Sequence, residues 1–147
     1  MAYEFDRYLK VRGAWGAVWS PDGRRVAFIT EITGVPQVWE VAAEGDSWPE
    51  QLTFHEERVS YAAYSPKGDE ILFGMDAGGN ERSQLFLLGD GEVLDLTRDP
   101  AAIHYPGGFS PDGRRIAYTA TRRNGTDFDV FVPVSYTHLT LPTNREV

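Results

Sequence analysis

Apolar residues along this chain come in short runs, each closed by a polar, Gly- or Pro-bearing segment, and the arrangement recurs. Three runs follow the same tight turn: Val26-Ala27-Phe28, Ile71-Leu72-Phe73 and Ile116-Ala117-Tyr118. The turns are Ser20-Pro21-Asp22-Gly23, Ser65-Pro66-Lys67-Gly68 and Ser110-Pro111-Asp112-Gly113, spaced 45 residues apart. An aromatic residue precedes each Ser (Trp19, Tyr64, Phe109), and a small one lies two positions before that (Ala17, Ala62, Gly107). Proline presets φ at the second turn position, and glycine accepts the left-handed backbone that closes the turn. Two β-rich runs joined this way predict an antiparallel hairpin. The Ser hydroxyl is expected to bond the turn backbone.

After each hairpin comes a polar loop (Glu31 to Pro36, Asp76 to Arg82, Thr121 to Asp127) and then a third apolar run. That run reads Gln37-Val38-Trp39-Glu40-Val41, Gln84-Leu85-Phe86-Leu87-Leu88, and Asp129-Val130-Phe131-Val132. A fourth ends in Leu-Thr twice, at Leu52-Thr53 and Leu96-Thr97. Nothing sustains a 3.6-residue apolar period, so helices and helical crossovers are not expected. Four short strands per repeat of this length predict an all-β chain, a partial β-propeller with four-stranded antiparallel blades. The chain holds two blades plus most of a third. The expected division is an N-terminal arm at 1–13, blades at 14–54 and 59–98, an incomplete blade at 104–133, and a tail at 134–147. Three blades cannot close a ring, so sheet edges and apolar blade faces should be exposed.

The repeat changes how composition is read. Trp15, Trp19, Trp39 and Trp48 are expected between blade faces. Lys and Arg number 14 against 22 Asp and Glu, a net charge of −8 with no basic stripe. Nucleic acid and anionic membrane surfaces demand clustered cations, so neither is an expected partner. The pairs Arg24-Arg25 and Arg114-Arg115 fall at hairpin starts and read as solvated edge charges. With no Cys, disulfides, thiolate-bound zinc and a thiol nucleophile are excluded. The sequence from Met1 to Arg7 lacks the apolar core of a signal peptide, and no run is long enough to span a membrane, so a cytoplasmic location is expected.

A search for catalytic or ligand chemistry assigns no catalytic, cofactor-binding or metal residue. The nearest approach to a Gly-x-Ser-x-Gly elbow is Gly108-Phe109-Ser110-Pro111-Asp112, where Asp replaces the last Gly. Because Ser110 recurs as Ser20 and Ser65, its role is read as the turn. Phosphate-binding and dinucleotide fingerprints are missing. His55 and His104 lie between repeats without neighbours at metal-ligand spacing. Glu56-Glu57 and Asp127/Asp129 read as solvated charge. The segment Asp76-Ala77-Gly78-Gly79-Asn80-Glu81-Arg82 is the longest non-repeating polar loop and the best place for something specific.

The last residues break the pattern. Where a turn and fourth strand are expected, the chain reads Val134-Ser135-Tyr136-Thr137-His138-Leu139-Thr140-Leu141-Pro142-Thr143. This string matches the translation of a transposase-type sequencing adapter and is read as non-native. His138 is therefore recruited to no site.

The pattern aromatic-Ser-Pro-Asp-Gly, two polar residues, then Ile/Val-Ala-Phe/Tyr resembles the repeats of TolB-like propellers. It also resembles the propellers that precede the catalytic domain in the prolyl oligopeptidase family, notably acylaminoacyl-peptidase and dipeptidyl-peptidase-like members. Three stretches tilt toward the peptidases: Gly78 through Phe86, Leu96-Thr97-Arg98-Asp99-Pro100 with Ile103-His104, and Phe128 through Val132. In that family the propeller caps a C-terminal α/β-hydrolase domain and restricts access to its Ser-Asp-His triad. The resemblance implies a substrate-gating, non-catalytic piece of a serine peptidase, with the hydrolase domain as partner in cis and peptides as substrates. No triad position falls within this chain. The alternative is a TolB-like propeller serving as a protein-binding module.

Overall fold

The computed structural model describes residues 12–132. Among them the elements are β1 (Ala14–Trp19), β2 (Arg25–Thr30), β3 (Gln37–Ala42), β4 (Glu50–Gln51), β5 (Val59–Tyr64), β6 (Glu70–Met75), β7 (Gln84–Gly89), β8 (Glu92–Asp95), β9 (His104–Phe109), β10 (Ile116–Ala120) and β11 (Asp129–Phe131). These strands make three antiparallel sheets in sequence order: β1-β2-β3-β4, β5-β6-β7-β8, and β9-β10-β11. The all-β expectation holds, with three strands in the third sheet among the described residues. The tail from Val134 onward and most of the N-terminal arm lie outside those residues. No helix of the described residues is long and apolar enough to cross a membrane.

Each hairpin begins at the repeated turn. Gly23, Gly68 and Gly113 have φ of 69°, 80° and 67°, where a Cβ would be strained. Their N–H groups donate to the carbonyls of Ser20, Ser65 and Ser110 at 2.8–2.9 Å. The Ser hydroxyls do bond the turn: Ser20 Oγ accepts from Arg25 N and Ser110 Oγ from Arg115 N, both at 3.0 Å, and Ser65 Oγ accepts from Lys67 N at 3.3 Å. In two copies the hydroxyl also donates to the turn aspartate, Ser20 to Asp22 at 2.6 Å and Ser110 to Asp112 at 2.5 Å. That bond, with the backbone N–H of Arg24 or Arg114, holds both carboxyls below the usual carboxylate range.

The links between sheets are tied by a second repeated device. Gln37, first in β3, donates from Nε2 to the carbonyls of Pro36, His55 and Glu57, and its Oε1 accepts from His55 N. Gln84, first in β7, donates likewise to the carbonyls of Arg82 and Ala102. Thr53 and Thr97 cap the same strands, their Oγ1 atoms accepting from Val38 N at 2.9 Å and Leu85 N at 3.2 Å. The next sheet then starts on a backbone bond to the residue before each Gln: Val59 N to Pro36 O, and His104 N to Ser83 O. Buried amides must be paired, and here two Gln side chains supply partners for a link that has no ladder of its own.

Packing between sheets follows from register. The pairs Tyr64↔Ile71, Ile71↔Leu88 and Phe73↔Phe86 set those side chains on one face of the second sheet. This face packs on Ala27, Ile29 and Val38 of the first sheet, with Phe73 fully buried. The opposite face, with Leu72, Leu85, Leu87 and Leu94, takes Ile116, Tyr118 and Phe131 of the third sheet. Phe109 joins that cluster as Tyr64 joins the first. The expectation for tryptophan fails in part: Trp48, in the β3–β4 connection, is 93% exposed, and Trp19 and Trp15 are exposed as well.

The small residue before each aromatic has its clearest reason in the third sheet. A Cβ at Gly107 would lie 2.8 Å from the carbonyl oxygen of Ala117, beside the register shift between β9 and β10. Gly107→Ala should therefore destabilise by about 1–3 kcal/mol, the usual range for overpacking. A urea midpoint unchanged from the wild type would contradict this.

Candidate functional site

Polar side chains gather at the end of the sheets where β6 runs into β7. There Arg58, Ser60, Asp76, Glu81 and Ser83 line a cavity of about 260 Å³. The sequence-singled loop 76–82 forms one wall. Asp76 Oδ2 accepts from Glu81 N at 2.9 Å, and Asn80 Oδ1 accepts from Arg82 N at 2.9 Å. These bonds hold Glu81 at φ 60°, a left-handed backbone that a non-glycine residue rarely adopts. The other carboxylate oxygen, Asp76 Oδ1, is buried without a hydrogen-bond partner. Ser60 Oγ donates to Gly74 O at 3.2 Å. Hydroxyls, two carboxylates and a guanidinium offer donors and acceptors together, a set suited to hydrogen-bonding an amide or charged polar group.

A larger groove, about 540 Å³, runs between the first and second sheets. Its floor is a charged clasp. Arg25 pairs with Glu40 at 3.3 Å, donates to Gly68 O at 2.9 Å and lies 5.8 Å from the Tyr64 ring centroid. The Tyr64 hydroxyl donates to Glu40 at 2.5 Å, and burial together with that carboxylate raises the phenol's pKa well above its ordinary value. The reading of Arg25 as a solvated edge charge is thus corrected. Its side chain points along the sheet face, where the next sheet's turn offers a carbonyl and a ring.

The two histidines have structural surroundings. His55 stacks on Phe73 with centroids 5.6 Å apart, and its Nε2 is buried without a partner. His104 is fully buried. Its Nδ1 lies 3.1 Å from Ser83 O, while Arg122 Nε donates to Nε2 at 3.3 Å. This pattern selects the neutral tautomer protonated on Nδ1. Arg122 also donates to Thr97 O, pairs with Asp99 at 3.6 Å, and sits over the rings of Tyr118 and Phe131. Ser110 Oγ bonds Asp112 and Arg115 N, with no histidine among its partners in the described residues. Glu56 is exposed and Glu57 carries the carbonyl held by Gln37. Asp127 and Asp129 pair with Arg123 at 3.3 and 2.8 Å. Metal-binding groups of three or more ligands do not occur among the described residues.

Sequence reasoning missed Gln37, Gln84, Arg25 and Arg122 as organising residues. The signal for the glutamines was present, since Gln opens the third run in two repeats and Thr closes the fourth.

Comparison with solved structures places this geometry. TolB from Acinetobacter baumannii superposes with a TM-score of 0.66 at 18% identity, covering 87% of this chain and 31% of TolB. The three sheets are blades of a β-propeller. Prolyl oligopeptidase B from Galerina marginata, solved with a macrocyclization substrate, gives a TM-score of 0.68 at 12% identity, covering 92% of this chain and 23% of that one. Blades of the same kind therefore occur in TolB and in peptidase propeller domains. In sequence, the chain is 32% identical over 121 residues to the uncharacterized protein Atu1656 of Agrobacterium fabrum. It is 30% identical over 95 residues to dipeptidyl aminopeptidase BIII of Pseudoxanthomonas mexicana. The chain spans 38% and 14% of these relatives' lengths. No protein-family model matches it.

Within blade 3, burial drives the His104 pKa below its ordinary value; Arg122 lowers it further, while the Ser83 carbonyl, Asp99 and Asp95 oppose. Burial lowers that of His55 too. A group whose folded pKa is depressed in this way takes up protons more readily when unfolded. Stability is then fully present above the unfolded value near 6.5 and declines as pH falls toward the folded one. The wild-type urea midpoint should drop between pH 7.5 and 5.5, and His104→Gln should flatten that drop. An equal pH slope in both proteins would show that His104 does not carry it.

Proposed function

We propose that these blades are the substrate-gating, non-catalytic part of a serine peptidase whose hydrolase domain lies outside this chain. The observation that carries this reading is the 30% identity to dipeptidyl aminopeptidase BIII over 63% of the chain. The likeness of the blades to those of prolyl oligopeptidase B supports it. On this reading the propeller covers an α/β-hydrolase domain in cis and admits peptides while excluding folded proteins. Its chemistry is then steric and hydrogen-bonding, in keeping with a Ser110 hydroxyl held in its turn by Asp112 and the backbone N–H of Arg115. The mixed polar cavity beside loop 76–82 is the surface on these blades best equipped to touch a passing peptide.

The TolB likeness favours a second reading, a propeller that binds a protein partner and catalyses nothing. Reading the source gene past the codon for Pro133 separates the two. Further 45-residue repeats, then a Gly-x-Ser-x-Gly elbow with later Asp and His, are expected for the peptidase. Repeats running to a stop codon with no hydrolase domain would leave the binding module. Meanwhile the purified 147-residue chain should show no turnover of dipeptidyl or acylaminoacyl chromogenic substrates above buffer. Turnover that co-purifies with the chain and survives in a second preparation would refute the non-catalytic assignment.

A further inference from the structure

The groove of about 540 Å³ between blades 1 and 2 has two walls. One carries Glu50, Leu52 and Phe54, along and after β4; the other carries Asp90 and Val93, at the turn into β8. Asp69, beside the second repeated turn, closes one end. Gly13 is held by Thr30, at the opposite end of β2 from Arg25, so the groove is made wholly within residues 25–93.

Two kinds of surface meet in it. Phe54 is 76% and Val93 42% exposed, leaving apolar area in water on both walls. With them stand four carboxylates and one guanidinium. That guanidinium is taken, since Arg25 is held between Glu40, the Gly68 carbonyl and the Tyr64 ring. Glu50, Asp69 and Asp90 pair with no cation among the described residues. Lys67 turns away, its side chain lying against Gly113 in the third turn. His55, also in the lining, adds no positive charge at neutral pH because burial lowers its pKa.

We propose that this groove holds a short extended segment of a partner protein in which lysine or arginine adjoins an apolar residue. The argument is charge complementarity on an apolar wall. Each wall offers both a carboxylate and an apolar side chain, so a cation with an apolar neighbour suits either one. Lysine and arginine also carry apolar stems that lie along such walls. A free polyamine has no side chain for Phe54, and an anionic partner meets three carboxylates. The volume falls in the range of roughly 300–1,000 Å³ usual for ligand clefts, so a few residues fill it. Because the carboxylates are exposed, each pair contributes little and binding weakens with salt. The groove lies at the opposite end of β7 from the cavity beside loop 76–82, and the proposal does not rest on the peptidase reading.

Fluorescence anisotropy on the full 147-residue chain tests it, with a short, labelled, end-capped peptide alternating lysine and leucine as probe. Binding in the micromolar range is expected, and none when glutamate replaces lysine in the peptide. Phe54→Ser, or serine for leucine in the peptide, should weaken it several-fold. Combining Glu50→Gln, Asp69→Asn and Asp90→Asn should weaken it about tenfold, the sum of three exposed ion pairs. Combining Glu31→Gln, Glu44→Gln and Asp46→Asn removes equal charge outside the groove. At physiological salt, where charges beyond about 8 Å are screened, that second set should leave binding nearly unchanged. In the unsubstituted chain the peptide should shift amide resonances of residues 50–55 and 89–93 and leave 76–83 in place, a check that needs no variant to fold. No binding by the wild type, equal weakening by the two triple variants, wild-type affinity in Phe54→Ser, spermine binding as tightly as the peptide, or shifts centred outside the groove would each overturn the proposal. None of these results touches the gene-sequence test of peptidase function.

Discussion

Everything in this array rests on how the chain crosses from the outer strand of one blade to the inner strand of the next. A crossing segment belongs to no sheet, so its amides need partners from elsewhere. Gln37 and Gln84 provide them, gripping the carbonyls of His55, Glu57 and Ala102 from the first position of the third strand. Thr53 and Thr97 fasten the other side. Because both grips are buried and short, the inner strand of the following blade starts at a fixed place. Only then do Val59, Ile71 and Phe73 meet Ala27, Ile29 and Val38. The apolar contacts supply the larger share of burial, but the amide grips decide which residues face which.

Much of this was legible in the residues. The turn tetrapeptide announced itself three times, and alternation after each Gly set which side chains share a face. What period and alternation could not reveal was which polar residues were structural. Arg25 looked like an edge charge because it falls, with Arg24, at a hairpin start. Its acceptors are Glu40, across the sheet, and the Gly68 carbonyl in the next blade's turn, 43 residues on. Arg122 was hidden for the same reason, since Thr97 and His104 come from the far side of the link. Long-range polar partners leave no local trace. The fourth strand was also faint: β4 is only two residues long, so the Leu-Thr that follows it carried more signal than the strand itself.

The candidate site follows the same division. The loop 76–82 stood out by not repeating, and the structure turns that into a wall of a polar cavity. Ser60 and Ser83, its other hydroxyls, lie in or beside regular strands and gave no warning. Both hydroxyls lie against Gly74, whose carbonyl accepts from Ser60 Oγ.

The two ends of each blade can change length independently. The loop before β7 is longer than its counterpart before β3, whereas the turn after β7 is shorter than the one after β3. Neither difference disturbs the packed faces, because the grips at Gln37 and Gln84 hold strand starts regardless of what precedes them. Such a scaffold is modular in the engineering sense. Residues could be grafted into the 31–36, 76–83 or 121–128 loops to build a new binding rim, while the blade-to-blade joints keep their register. Variation would then accumulate at one rim of the molecule while its stacking stayed unchanged.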